Sequence, residues 1–204
     1  MPKEKQTTKK QEKYTLILDA AETLMKKKGL YSLNMDEVSY FSNLAKGTLY
    51  LYFRSKEEIL AALALKARIL LLAHFEKAVL NENQPIQQLK AIIHANYTFL
   101  KNNPLYYELV SFYEINDRET ETEEMSAVIL RITELVIGII KNGQLAGEID
   151  SRIDPSILSF TMWGMTVGIM QLLKVKAATI SNHPNLSENI VLDNYIKVFL
   201  DGIK

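Results

Sequence analysis

The stretch NLAKGTLYLYFRSKEE, residues 43–58, places Gly47, Thr48, Tyr50 and Tyr52 between two lysines, Lys46 and Lys56. The chemistry such a set offers is the gripping of a polyanion rather than the making of bonds. Glycine lets a backbone approach a surface closely, the free N–H groups of a helix N-terminus favour phosphate, and threonine and tyrosine hydroxyls can donate to phosphate oxygens. Lys46 could reach a guanine edge or a phosphate, and Leu51 could touch a thymine methyl. A surface helix with exposed tyrosines is the plainer alternative that composition alone leaves open.

Reaction chemistry finds little support elsewhere in the chain. There is no cysteine, which excludes disulfides, thiolate metal sites and thiol nucleophiles. His74, His94 and His183 are scattered, and none has a glutamate three residues before it, so the Glu-x-x-His pattern of di-iron bundles is missing. Neither a glycine-rich phosphate loop nor a nucleophile elbow occurs. No catalytic residue, metal site or cofactor is expected.

The elements that must position residues 43–58 are legible from periodicity and capping. Tyr14, Ile17, Leu18, Ala21, Leu24 and Met25 share one helical face, which Gly29 ends after Lys26, Lys27 and Lys28. In LNMDEV, Asn34 can cap, Glu37 follows three residues on, and Leu33 can staple against Val38. Asn43 then breaks the pattern after about two turns, being among the few residues that tolerate a left-handed turn. A short third helix over residues 46–52 leads to Ser55 and Glu58, a capping box for a long fourth helix.

Stepping about 100° per residue from an inward Leu49 puts Phe53 in the core as well and sends Gly47 and Leu51 to the outer pole. Thr48 and Tyr50 flank that pole. A short capped helix, a tight turn and a second short helix make a helix-turn-helix, whose second helix enters the major groove of DNA. Arrangement therefore favours a DNA reader.

The rest of the chain reads as helical. Pro85 and Pro104 stand near helix starts, the acidic DRETETEE leads into a long helix ending near GQLAGEID, and Asp154 with Pro155 caps the next. That helix holds an uncharged run, residues 157–173, which is short for a membrane span and reads as a core or interface helix. A last helix reaches about Leu200. With 48% apolar and 24% charged residues the composition is that of a globular protein. Residues 1–60 hold 11 Lys and Arg against 8 Asp and Glu, while the whole chain is neutral with 24 of each, so the basic side of the molecule is its N-terminal part. The N-terminus lacks the apolar run of a signal peptide, and a cytoplasmic protein is expected.

Residues 11–60 resemble the DNA-binding head of the TetR family of bacterial transcriptional regulators. The likeness is carried by AAETLMKKKG in the first helix, by the Asn34 cap and above all by KGTLYLYFRSKEEIL. It implies an all-α fold of about nine helices: a three-helix head, residues 14–58, followed by a larger helical ligand-binding and dimerisation bundle, residues 59–204. It also implies that Lys46, Gly47, Thr48, Tyr50, Tyr52 and Lys56 face DNA, with Asn34 near a phosphate. Three positions depart from the family pattern. Asn43 replaces the usual turn glycine, Ser39 a usual alanine, and Ala45 stands where a serine or threonine often caps the recognition helix, a loss of about 1 kcal/mol. Residues 1–13 form a basic arm with Lys3, Lys5, Lys9, Lys10 and Lys13, either a solvated tail or a further DNA contact.

Operator readers of this kind act as two-fold dimers on palindromic half-sites. Trp163, Gly164 and Gly168 of the uncharged helix, with Val191, Tyr195, Val198 and Phe199 of the last, are the expected interface of a homodimer. By the same resemblance the input is a small, largely apolar effector. Asn96, Tyr97, Phe112, Tyr113, Thr133, Met162 and Thr166 are its candidate lining, although each also suits core packing. The function implied is a ligand-released repressor; a helical binding or scaffold protein that does not use its head on DNA is the alternative.

Overall fold

The computed structural model describes residues 2–115 and 121–204, with side chains for residues 9–114 and 121–204. Among these residues the chain forms ten α-helices, one 3-10 turn and no strand. The acidic run DRETETEE lies partly outside the described residues.

The helices group into two units, Met1–Ile69 with Asn103–Ser126, and Leu70–Asn102 with Ala127–Lys204. This differs from a division at residues 58 and 59. One continuous helix, α4 (Lys56–Val79), contributes to both units, and α6 (Pro104–Ile115) joins the first.

In the first unit, α1 (Pro2–Lys28) buries Ile17, Leu18, Ala21, Leu24 and Met25, as its periodicity predicts. Its start is earlier than that pattern. The segment expected as an arm is the first turns of this helix, because a run such as KKQEK contains good helix formers even without an apolar face. Gly29, at φ 88°, ends α1, and the 3-10 turn Leu30–Ser32 follows. Next come α2 (Met35–Phe41) and α3 (Lys46–Tyr50), which ends two residues short of the expected helix. Leu49, Phe53 and Ile59 are buried, and Tyr14 stacks on Phe53 with ring centroids 5.1 Å apart.

Glu22 ties three helices of this unit together. Its carboxylate accepts from Lys26 one turn along α1 at 2.7 Å, from Lys66 of α4 at 3.0 Å and from the Tyr106 hydroxyl of α6 at 2.7 Å. Burial alone would raise its pKa, but the three donors hold it down to about 2. A carboxylate bound more tightly in the folded state stabilises above its ordinary titration range and loses that contribution as pH falls toward 2. Glu22→Gln is therefore expected to lower the melting temperature at neutral pH, with the gap to the parent closing on acidification. Thermal melts between pH 7 and pH 2.5 measure it.

The second unit contains α5 (Pro85–Asn102), α7 (Glu123–Leu145) from Ala127 on, α8 (Pro155–Val175), the short α9 (Ala177–Ser181) and α10 (Glu188–Gly202). Asp154 caps α8 by accepting from the backbone N–H groups of Ser156 and Ile157 at 2.8 and 3.0 Å, as its position before Pro155 predicts. Leu89, Ile93, Phe99, Ile140, Met162, Met170, Leu192 and Phe199 are among the buried residues of its core. The end of α7 is packed so closely that a Cβ on Gly143 would lie 2.6 Å from the Ile149 side chain.

Candidate nucleic-acid interface

The first unit holds α3 out by three local devices. Asn34 caps α2, its side-chain oxygen accepting from the Glu37 backbone N–H at 2.9 Å. The return half of that capping box does not form, because Lys28 takes the Glu37 carboxylate at 2.5 Å. Asn43 adopts the left-handed conformation, at φ 54°, that lets the chain reverse after α2. The turn is then fastened by Ser39, whose hydroxyl donates to the Leu44 carbonyl at 2.6 Å. Sequence reasoning treated Ser39 only as a departure from alanine; an i to i+5 side-chain bond leaves no local pattern.

Beyond α3, Ser55 caps α4 and the Glu58 carboxylate reaches back to Arg54, one residue before the cap. The Glu58 N–H donates to the Ser55 hydroxyl at 3.4 Å and the Arg54 N–H donates to the Glu58 carboxylate at 2.7 Å. These bonds start α4 and fix the exit from α3. Ala45 makes no side-chain cap to α3, as expected.

The outward face is the one the helical stepping predicts. Leu49 is 0% exposed and Leu51 83% exposed. Asn34, Lys46, Gly47, Tyr50, Leu51 and Lys56 are exposed, with Thr48 and Tyr52 half-buried beside them. Apart from its own stretch of helix, nothing lies within 4 Å of where a Cβ on Gly47 would stand. The fold itself does not require glycine there, and Gly47 leaves the outer pole clear. What sequence reasoning missed is an acid on this face. Asp36 of α2 pairs with the Lys46 ammonium at 2.7 Å, raising the lysine pKa.

The expected effector lining is divided between the two units. Phe112 and Tyr113 belong to the first unit, where they help wall a cavity of about 190 Å³ with Leu30, Tyr31, Leu33 and Leu60. The reason is that α6 packs against the 3-10 turn, where Tyr31 meets the Phe112 ring at 5.8 Å. Nearby, Arg68 is almost fully buried; its guanidinium pairs with Glu121 at 2.7 Å and lies 6.0 Å from the Tyr113 ring centroid.

The remaining five candidates lie in the second unit. Tyr97 donates to Glu188 at 2.5 Å, and burial, then this carboxylate, push its pKa up to about 12. Thr133 bonds back to the Ile129 carbonyl, while Met162 and Thr166 are buried, Thr166 within 2.6 Å of the Tyr195 hydroxyl. Asn96 keeps a buried side-chain oxygen with no partner.

Of the expected dimer residues, Trp163, Gly164, Gly168 and Val198 are exposed and Val191 is half-buried. Tyr195 and Phe199 are corrections, since both are buried in the core of their own unit. They fall on the inner side of α10, whose Tyr195 hydroxyl reaches Thr166 and the Met162 carbonyl. On the outer side, Ile157, Phe160, Trp163, Leu172 and Val175 of α8 remain exposed with Ile190 and Val198 of α10. By length and composition α8 could cross a membrane, but its buried side packs into this core.

A capped helix, a left-handed turn and a second helix held outward define a helix-turn-helix DNA-binding head. Residues 17–63, which contain all of it, match the family described as bacterial regulatory proteins, tetR family. Over these residues the chain is similar to the DNA-binding head of that family of regulators. It is 22% identical over 181 residues to the fatty acid metabolism regulator protein of Bacillus subtilis strain 168, covering 85% of this chain and 92% of that one. The same fold occurs in the regulator FadR from Bacillus subtilis, solved in complex with stearoyl-CoA, at a TM-score of 0.70 and 17% identity over 94% of this chain and all of that one (100%). AibR, solved with isovaleryl coenzyme A and operator DNA, superposes with a TM-score of 0.67 at 19% identity over 91% of this chain and 97% of that one.

Proposed function

We propose that the protein is a cytoplasmic, non-enzymatic repressor that binds a palindromic operator as a homodimer and leaves it when a small molecule enters the second unit. The observation that carries this reading is α3, which is locked inward through Leu49 and Phe53 and bare outward at Gly47. The dimer reading rests on the exposed apolar side chains that α8 and α10 share. An effector of the acyl thioester class, such as those held by FadR and AibR, suits the second unit chemically. Asn96 offers an unpartnered buried acceptor within apolar helices, and leaving such an atom unpaired costs about 1–3 kcal/mol. An amide N–H on an otherwise apolar ligand would satisfy it. Such a ligand lowers operator affinity by as much as it prefers the released state.

Fluorescence anisotropy of a labelled random duplex in 50 and 200 mM salt is the direct test. Affinity falls steeply with salt when phosphates are neutralised. Lys56→Ala should weaken binding to every sequence alike and reduce the salt slope by about 1. Weak binding that ignores salt would favour a scaffold that does not use its head on DNA. Adding stearoyl-CoA or isovaleryl-CoA to the complex with a genome-selected fragment tests the effector class.

A further inference from the structure

The Asp36 and Lys46 pair sits where the groove would be read. Their charged atoms are 2.7 Å apart, and the side chains are 70% and 61% exposed, so the pair faces solvent rather than core. Asp36 caps nothing, since Asn34 performs that task for α2. The inner side of α2 is Val38 and Ser39, and Tyr40, four residues after Asp36 and 82% exposed, continues the outer side. The neighbouring Lys28 is compensated in the same way by Glu37. A duplex approaching α3 therefore meets a neutral couple where a lone cation would grip any phosphate.

We propose that Asp36 is a specificity-determining residue, which cancels the pull of Lys46 on random sequence and reads a G·C pair together with it. In the major groove a guanine offers the O6 and N7 acceptors a lysine needs, and its cytosine offers the N4 amino donor a carboxylate accepts. At such a pair both members of the couple exchange one partner for an equivalent one. Elsewhere Lys46 must leave Asp36 with no donor in return, and the carboxylate repels the nearby phosphates. The couple thus converts a sequence-blind attraction into a conditional one. This inference rests on the DNA-binding reading of α3.

The test compares the parent, Asp36→Asn and Asp36→Glu on a random duplex and on duplexes selected by the parent from a random pool. With Asp36→Asn, affinity for the random duplex should rise about threefold or more in 0.1 M salt and the salt slope should steepen by about one. The ratio of selected to random affinity should fall about tenfold, and reselection should lose G·C at one position in each half-site. Asp36→Glu should retain most of the ratio. In a Lys46→Gln background Asp36→Asn should change the salt slope little, which separates the couple from any general effect on α2. An unchanged ratio and slope for Asp36→Asn, with the parent binding DNA normally, overturns the inference alone. A parent that binds no duplex overturns the DNA reading and the inference together.

Discussion

Gly47→Leu is expected to weaken binding to duplex DNA by at least tenfold while leaving the melting temperature at or slightly above that of the parent. The two halves of this result have separate causes. Gly47 has an ordinary helical backbone and open space where a Cβ would stand, so a side chain can start outward without strain. Glycine inside a helix costs about 0.5–1 kcal/mol relative to alanine, and leucine recovers most of it. The same side chain would stand between α3 and the groove floor, where it separates Thr48, Tyr50 and Lys46 from their targets. Melting followed by circular dichroism and anisotropy on one duplex give both halves. Unchanged DNA affinity would mean that some other surface docks.

Leu49→Ala lies two residues on and should do the opposite first. Leu49 is fully buried, and truncating a buried leucine costs about 2–5 kcal/mol against a typical total stability of 5–15 kcal/mol. The element it anchors is poor in other support, for α3 is five residues long and its N-cap is an alanine without a side-chain bond. DNA affinity should fall along with the melting temperature, and lowering the temperature of the assay should restore part of it. A variant as stable as the parent would show that Phe53 and its stacked partner Tyr14 hold α3 without Leu49. Side by side, the two substitutions separate the groove-facing from the core-facing half of one helix.

What could be read in the sequence was what local chemistry decides. Asn34, Ser55 with Glu58, and Asp154 before Pro155 act within four residues of themselves, and each cap forms as its spacing predicts. The inward and outward faces of α3 follow from helical angles alone. What stayed hidden depends on partners far along the chain. Asp36 reads as an ordinary first-turn acid until Lys46 is seen beside it. Tyr195 and Val198 both stand on α10, and which of its sides faces the core depends on α8, where Thr166 meets the Tyr195 hydroxyl. Phe112 and Tyr113 suit any apolar pocket, and the unit they join was decided by the packing of α6 on the 3-10 turn. The start of α1 was missed for another reason, since residues 2–13 lack the apolar period that announces a helix.

On the proposed pairing of two copies through the exposed side of α8 and α10, the quantity of the protein becomes part of its regulation. Pairing stabilises the folded chain by mass action, so a scarce chain is both less stable and less often paired. Below the concentration at which half the chains are paired, the population able to span two half-sites grows roughly with the square of the amount made. Synthesis rate is then a second input to the promoter beside the small molecule, and a modest fall in expression derepresses it more sharply than in proportion.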